Sequence, residues 1–202
     1  MRSRKLMAGY SQDELDDVQA KWRLRFPPDL IDRLRERRPL LVGDTDPRSF
    51  DWVTADPEHI RERLAWPFGS YWRSIEPNGI WWPEWGEKPA SPIDQKEKLR
   101  GIFDRAPKLI PLASIRYIPE EPHESGNPVF SVMACDIIYC GANLTDWLER
   151  ERGSFQVRPW PPIKEIRFWG KAVRYMQDEN SIVRRQIAAA AAKRRQHGST
   201  HT

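Results

Sequence analysis

The sequence predicts an α+β fold: a central, mostly antiparallel sheet wrapped by helices, with an added C-terminal amphipathic helix. Capped helical segments come first along the chain, strand-like apolar runs rich in β-branched residues follow, and helices return at the end. Strands and helices therefore do not alternate as they would in the βαβ units of a parallel sheet. The 202 residues, 39% apolar and 31% charged, have the composition of a globular chain that can bury a core.

Three helices are predicted in the N-terminal third, each from a start signal. Ser11 has capping-box spacing to Glu14, and acidic residues crowd the turn that follows. A second, short helix is predicted to begin at Pro28. Asp56 suits an N-cap and is followed by Pro57, which suits the first helical position. Apolar residues within each segment recur at helical intervals, so each helix is expected to bury one face.

The next stretch, from Trp66 to Pro89, is aromatic and is predicted to be irregular, with at most a short strand over 79–82. A fourth helix is predicted after it, capped by Ser91 and opened by Pro92. The inward-facing side chains predicted for this helix are Leu99, Ile102 and Phe103.

Strands are predicted for "KLIPLA", "SIRYIP" and, after a polar turn, "NPVFSVMACDIIYC", because their apolar β-branched content suits central strands. The residues assigned to central strands are Val129, Phe130, Val132, Ile137, Ile138 and Tyr139. Gly141 ends the last run, and "NLTDWLERER" is predicted to be a short helix.

The chain is predicted to divide into a folded domain over residues 10–160 and a basic helical extension over 161–202 with a frayed end. The extension carries a heptad-like seam with alternating spacings of three and four. The seam consists of Ile166, Trp169, Val173, Met176, Asn180, Val183 and Ile187. Such a seam predicts that the helix packs on another surface, and a homodimer through this helix is one assembly that it allows.

The net charge of +4 comes from the extension. Residues 164–202 hold nine Lys/Arg and three Asp/Glu, which leaves 24 basic and 26 acidic residues in 1–163. The basic side chains that could bind nucleic acid are Arg167, Lys171, Arg174, Arg184, Arg185, Lys193, Arg194 and Arg195. Because an apolar seam lies opposite them, an ordinary amphipathic helix with a solvated charged face is favoured over a nucleic-acid site.

No apolar run approaches the roughly 20 residues that a membrane-spanning helix needs. The basic start lacks the apolar stretch of a secretory signal. We therefore expect a cytoplasmic protein that does not enter a membrane.

The motifs of common catalytic and cofactor sites are missing, since the sequence contains no glycine-rich phosphate loop, nucleophile elbow or HExxH pattern. His123 lies beside Glu120, Glu121 and Glu124, which could form a metal cluster, but an exposed polar loop is the favoured interpretation. We therefore predict no enzymatic activity, no cofactor and no metal.

Asp136 is the most unusual acid, because it stands inside an apolar strand-like run. It is either a buried general base or, as we favour, a polar position at a bulge that bonds backbone amides or Arg116. The same run holds the only cysteines, Cys135 and Cys140, whose odd separation would aim them at opposite faces. Neither a disulfide nor a zinc site is predicted from them.

Several short elements, taken in order, resemble bacterial members of the SUKH superfamily, the Smi/Knr-type proteins. These elements are "FPPDLIDRL", a Trp-x-x-x-Trp-Gly segment from Trp81 to Gly86, "LIPL", "NPVFSV", "DIIYCGANL" and "WLERE". Trp82 is an extra tryptophan within the second element. The resemblance covers roughly residues 26–152 and is strongest from Ile75 onward.

The resemblance implies an α+β domain that has no catalytic activity and binds another protein. Many bacterial relatives are thought to be immunity proteins that neutralise toxins, often nucleases, in polymorphic toxin systems, and others are regulatory scaffolds. Toxin neutralisation is therefore the function that the resemblance predicts. An inhibitor of a basic nuclease would be clearly acidic, and the net charge of −2 over residues 1–163 departs from that expectation.

The stretch "NGIWWPEWGEKP" is the candidate recognition element, because exposed tryptophan is enriched at binding hot spots. If it is extended, Trp81 and Trp85 share one face, and Trp82 and Glu84 share the other. We therefore predict that Trp82 and Glu84, with the nearby Trp72, contact a partner. The residues assigned to the fold are Trp81, Trp85, Gly86 and Asp136. Burial of all three tryptophans of this stretch in the core is the alternative.

Overall fold

The computed structural model describes residues 7–38, 49–151 and 159–177, together with residues 185, 186, 188 and 189. Within these residues the chain forms six α-helices and a four-stranded antiparallel sheet, so the predicted α+β class is confirmed. The helices are α1 (Gln12–Trp22), α2 (Pro28–Glu36), α3 (Pro57–Asn78), α4 (Pro92–Phe103), α5 (Leu144–Glu151) and α6 (Trp169–Gln177). Two short strands, β1 (Met7–Ala8) and β2 (Arg37–Arg38), pair with each other beside α1 and α2.

Helix starts follow the predicted caps. Ser11 Oγ accepts the Glu14 N–H at 3.1 Å, and the Glu14 carboxylate accepts the Ser11 N–H at 2.8 Å, which completes the capping box of α1. The Asp56 carboxylate caps α3 and the Ser91 hydroxyl caps α4 in the same way. These side chains satisfy backbone N–H groups that have no partner within the helix, so a local sequence signal is enough to set each start.

α3 is much longer than predicted, and the prediction of an irregular segment from Trp66 to Pro89 is wrong over its first half. The helix runs through Pro67 and Pro77, although an interior proline costs about 3 kcal/mol. The buried face that offsets this cost consists of Ile60, Phe68, Tyr71, Trp72 and Ile75. Gly79, with φ of +64°, ends the helix, and its N–H donates to the Glu76 carbonyl. The short strand predicted over 79–82 is not formed.

The strands of the main sheet lie in the order β3 (Leu109–Ala113), β4 (Arg116–Pro119), β5 (Val129–Met133) and β6 (Asp136–Gly141). The single run predicted over 127–140 is in fact two strands joined by a tight turn at Ala134, whose φ is +56°. Asp136 therefore begins β6 at the turn, paired with Met133, and is exposed, so the interpretation as a buried general base is wrong. The register shift between β5 and β6 lies at Val129/Phe130, so the favoured bulge at Asp136 is not formed either. β6 lies at the edge of this sheet, which corrects the assignment of Ile137, Ile138 and Tyr139 to a central strand. Ile138 is 43% exposed, whereas Ile137 is buried.

The sheet is covered on both faces, because neighbouring strand residues enter different core clusters. Tyr117 belongs to one cluster and Ile118 to the other, as alternation along a strand requires. The rings of the first cluster, which we name the aromatic side, are Phe68, Tyr71, Trp72, Trp81, Trp82, Trp85, Tyr117, Phe130 and Trp169. The second, the aliphatic side, is mainly Leu15, Leu24, Leu30, Leu34, Ile60, Ile110, Leu112, Ile118, Leu144 and Leu148.

The predicted extension begins inside this core. Ile166, Trp169 and Val173 of the heptad-like seam are buried on the aromatic side, so this half of the seam is covered by the chain itself. The boundary predicted at residue 160 thus does not coincide with an edge of the core. Asn180, Val183 and Ile187 lie outside the described residues.

Candidate functional site

The tryptophans of the candidate stretch pack against one another. Trp82 stacks on Trp85 with ring centroids 4.8 Å apart and an interplanar angle of 18°, and Trp81 meets Trp85 edge-on at 5.2 Å. The cause is a 3₁₀ turn over Pro83–Trp85, in which the Trp85 N–H donates to the Trp82 carbonyl at 3.0 Å. Side chains three residues apart lie above one another in a 3₁₀ turn, so residues 82 and 85 share a side instead of opposing each other.

This geometry overturns part of the predicted recognition surface. Trp82 is only 2% exposed and Trp72 only 7%, and both belong to the aromatic side of the core. The prediction that their rings are presented to a partner is therefore wrong. Trp81 and Trp85, which were assigned to the fold, are buried beside them.

Gly86 ends the 3₁₀ turn in a conformation with φ of +73° and ψ of −162°. That region is essentially restricted to glycine. Its carbonyl accepts the Trp81 indole N–H at 2.8 Å, which gives this buried ring its polar partner. The Gln186 side chain forms two further hydrogen bonds with the Trp81 backbone. It accepts the Trp81 N–H at 3.1 Å and donates to the Trp81 carbonyl at 3.3 Å.

Glu84 is the one predicted recognition residue that reaches the surface, with its side chain 44% exposed. It accepts the Tyr175 hydroxyl at 2.8 Å and lies 3.4 Å from Lys171 Nζ, so it ties the turn to α6. Burial, and then the hydrogen bond to Glu84, raise the pKa of Tyr175. The Tyr175 ring in turn lies 4.7 Å from the Trp82 ring.

A recess of about 240 Å³ opens beside Glu84, between the 3₁₀ turn, the end of α4 and the start of α6. We name it the aromatic cleft. Its apolar wall is formed by Trp82, Trp85, Ile102, Ala106 and Phe168. Its charged rim is formed by Glu84, Arg105, Arg167 and Lys171.

Phe168 holds an unfavourable backbone conformation at this cleft. Its φ of +68° lies in the left-handed region, which costs a residue other than glycine about 1–2 kcal/mol. Its ring contacts Phe103 at 5.0 Å and Trp169 at 4.8 Å, and these contacts hold it in place. Strained residues of this kind cluster at functional sites, which marks the cleft as a candidate.

The rim is cationic, since it combines three cations with one carboxylate. Arg105 is exposed and forms no ion pair with any residue that the structure describes. Arg167 lies 3.6 Å from Glu121, in a pair whose side chains are both more than half exposed. Exposed pairs of this kind contribute about 0–1 kcal/mol, so both arginines can bind a ligand at little cost.

A wider recess of about 570 Å³ adjoins the cleft on the far side of the Glu84–Lys171 pair. Arg174, Tyr175 and Gln177 of α6 line it. Arg174 is engaged by Glu165, whose carboxylate lies 2.7 Å from it. Of the other predicted basic residues, Arg185 is exposed, while Arg184, Lys193, Arg194 and Arg195 lie outside the described residues.

The remaining candidates do not converge on a site. Arg116, the partner predicted for Asp136, instead contacts Glu151 at 3.3 Å and the Ser131 hydroxyl at 3.0 Å. His123 Nε2 lies 3.1 Å from the Phe26 carbonyl oxygen. Over the part of the chain that the structure describes, no group of three histidine, cysteine or acidic side chains is placed to hold a metal ion.

Both cysteines carry free thiols. Burial raises the pKa of the Cys135 thiol to about 11, and burial also raises the pKa of Cys140. Because the thiolate is the reactive form, both groups are poor nucleophiles at neutral pH.

Sequence reasoning named Trp82, Glu84, Arg167 and Lys171 as candidate binding residues and placed Ile102 in the core, but it missed Arg105, Ala106 and Phe168. Arg105 lies two residues beyond the end of α4, and nothing near it in the sequence distinguishes it from other surface arginines. The aromatic pair Phe168–Trp169 next to Arg167 was a usable signal, because two large rings at the start of a basic helix need a surface to cover them.

Among the described helices, none has both the length and the apolar character of a membrane span. No protein-family model, no curated protein and no solved structure matches the chain.

Proposed function

We propose that this chain is a non-catalytic protein-interaction domain and, more specifically, an immunity protein that neutralises a bacterial toxin by binding it. The aromatic cleft is the observation that carries the first part. The likeness of residues 26–152 to the SUKH superfamily supports the second. A regulatory scaffold of the same family is the alternative.

The cleft has the composition of an interface hot spot. Such spots combine aromatic and arginine side chains around a pocket that excludes water. Here the Ile102 and Phe168 side chains are partly exposed over a floor formed by Trp82 and Trp85, and Arg105 and Arg167 stand at the edge. The floor is rigid because the two indoles are stacked, so little side-chain freedom is lost when a partner binds.

Nucleic-acid binding is the less favoured use of the same surface. The basic side chains of α6 that the structure describes already face carboxylates, with Lys171 near Glu84 and Arg174 near Glu165. Each carboxylate offsets the charge of its partner, so the described part of α6 carries no excess of positive charge for a phosphate backbone.

The test is capture and neutralisation with the full-length chain. Affinity-tagged protein is used to pull proteins from a lysate of the native host, and each captured protein is then expressed alone and together with the chain. We expect one captured protein to stop growth when expressed alone and to be harmless with the chain present. Capture of a non-toxic protein at 1:1 stoichiometry would favour the regulatory scaffold. Retention of nucleic acid alone, lost at high salt, would overturn the proposal.

A further inference from the structure

We infer that the aromatic cleft binds an acidic segment of a protein partner, with one apolar side chain of that segment inserted between Ile102 and Phe168 and its flanking carboxylates on Arg105 and Arg167. This inference rests on the proposed function and deepens it, because it states the chemistry of the partner. It also departs from the expectation of a basic nuclease as the target.

The size of the cleft favours a single side chain as the inserted group. At about 240 Å³ it is smaller than the roughly 300–1,000 Å³ of a typical small-molecule site. Its wall is apolar, formed by Ile102, Ala106 and Phe168 over the stacked indoles. A leucine or phenylalanine side chain is the group that such a wall stabilises, by removal of apolar surface from water.

The charge of the rim selects the flanking groups. Arg105 has no carboxylate partner within the described chain, and Arg167 has only the exposed Glu121 at 3.6 Å. Guanidinium groups bind carboxylates through two parallel hydrogen bonds, and these bonds are stronger than those between neutral groups. A basic segment would instead place like charges against Arg105 and Arg167, because Glu84 offsets only the charge of Lys171, and like charges in contact oppose binding.

The same geometry disfavours single-stranded nucleic acid. Its bases bind proteins by stacking on exposed aromatic faces. In the cleft, one face of Trp82 is covered by Trp85, and Tyr175 lies 4.7 Å from Trp82, so neither indole offers a free face. The cleft therefore suits an inserted apolar side chain better than a stacked base.

The proposal is tested by fluorescence anisotropy with the full-length chain and labelled synthetic peptides. The first peptide has one phenylalanine between runs of glutamate. The second replaces the phenylalanine with glycine, and the third replaces each glutamate with lysine. A single-stranded oligonucleotide of the same charge as the first peptide serves as a further probe. We expect the first peptide to bind at least tenfold more tightly than each of the others.

The double variant Arg105→Glu/Arg167→Glu should weaken binding of the first peptide at least tenfold. The matched control is Arg61→Glu on α3, because Arg61 is also exposed and paired with a neighbouring glutamate, at 2.6 Å. Arg61→Glu should change the affinity less than twofold, and both proteins should keep the wild-type circular dichroism spectrum. Equal binding of the lysine peptide, tighter binding of the oligonucleotide, or no effect of the double variant would each overturn the inference.

Failure of this inference is distinguishable from failure of the proposed function. If the double variant still neutralises a captured toxin, the chain is an interaction protein whose partner binds elsewhere, and only the inference fails. If no protein is neutralised while the acidic peptide binds as expected, the cleft chemistry stands and the immunity function fails.

Discussion

The two faces of the sheet are built from different side chains, and the recesses beside them differ in lining. The cleft beside the aromatic side has an aromatic wall, whereas a recess of about 290 Å³ beside the aliphatic side is lined mainly by polar and charged residues of α2 and α5 around Leu144 and Leu148. The aliphatic side consists mainly of leucine and isoleucine, which have no polar side-chain atoms, although it also contains the rings of Tyr10, Phe26, Trp52 and Trp147. The aromatic side contains nine buried rings, and three of its tryptophans come from one short segment. The rings are rigid and prefer edge-to-face or offset-stacked contacts, so their edges and faces line the cleft beside them. The comparison shows that the chemistry of a recess follows from the core side chains next to it.

The indole N–H groups of the buried tryptophans need hydrogen-bond partners. On the aromatic side the Trp81 indole N–H donates to Gly86, and the Trp169 indole N–H donates to the Pro107 carbonyl at 2.7 Å. The indole N–H of Trp82 has no partner among the described residues. An unsatisfied buried donor costs about 1–3 kcal/mol, so the aromatic side is stable only because its rings bury much apolar surface.

The largest effect is expected for Trp82→Ala, in the middle of the aromatic side. Loss of this nearly fully buried ring should lower the free energy of unfolding by about 3–5 kcal/mol. Because the new cavity would join the cleft, added indole should enter it and raise the melting temperature again. Urea unfolding measures the loss of free energy, and thermal scans with and without indole measure the recovery of the melting temperature. A normal melting temperature for Trp82→Ala would show that the ring does not support the core.

Leu30→Ala tests the aliphatic side. Leu30 is buried on α2, and its truncation should cost about 2–5 kcal/mol. Loss of a leucine side chain opens less space than an indole ring occupies, so indole should not restore the melting temperature of this variant. Rescue of both variants by indole would mean that the two sides of the sheet do not differ in the shape of their core side chains, which would break the comparison.

Gly86→Ala tests the turn that places the indoles. Because Gly86 adopts a conformation essentially restricted to glycine, alanine should cost about 1–3 kcal/mol. Gly101→Ala is the control, since Gly101 lies inside α4 and a methyl group there meets only the end of the Arg105 side chain. Alanine is the better helix former, so this variant should gain about 0.5–1 kcal/mol in urea unfolding. Equal effects of the two substitutions would refute the role of the turn.

The smallest effect concerns Glu120, a buried carboxyl that accepts the Arg25 N–H at 3.2 Å. Burial raises its pKa, although Lys108 at 4.0 Å opposes the shift. A raised pKa means that the folded chain keeps this proton to higher pH than the unfolded chain, so stability is lost as pH rises through the raised pKa.

Glu120→Gln should remove this loss, because an uncharged amide replaces the carboxyl at every pH. Relative to the unchanged chain, the variant should therefore gain stability as pH rises from the ordinary glutamate pKa through the raised pKa of Glu120, and the gain should then stay constant. Urea unfolding at several pH values measures it. A difference that is independent of pH would show that Glu120 does not titrate in this window.

The sequence was sufficient wherever the signal was local. Ser11, Asp56 and Ser91 marked three helix starts, because a cap acts on backbone groups within three residues of itself. β-branched runs located the strands in the same way. The tight turn at Ala134 was not predicted, since neither Ala134 nor Cys135 is a typical turn residue. Asp136 was therefore placed inside a single strand, whereas it lies at the start of β6.

Helix starts, strand content and the α+β class were thus determined by the sequence alone, through interactions between near neighbours. Three features depended on tertiary structure: the continuation of α3 through Pro67 and Pro77, the burial of Trp82, and the assembly of the cleft. Trp82 contacts Phe168 and Tyr175, about 90 positions away, and the cleft joins α4 to α6. Burial of rings against distant elements is worth several kcal/mol, and that outweighs the local preference of any single residue.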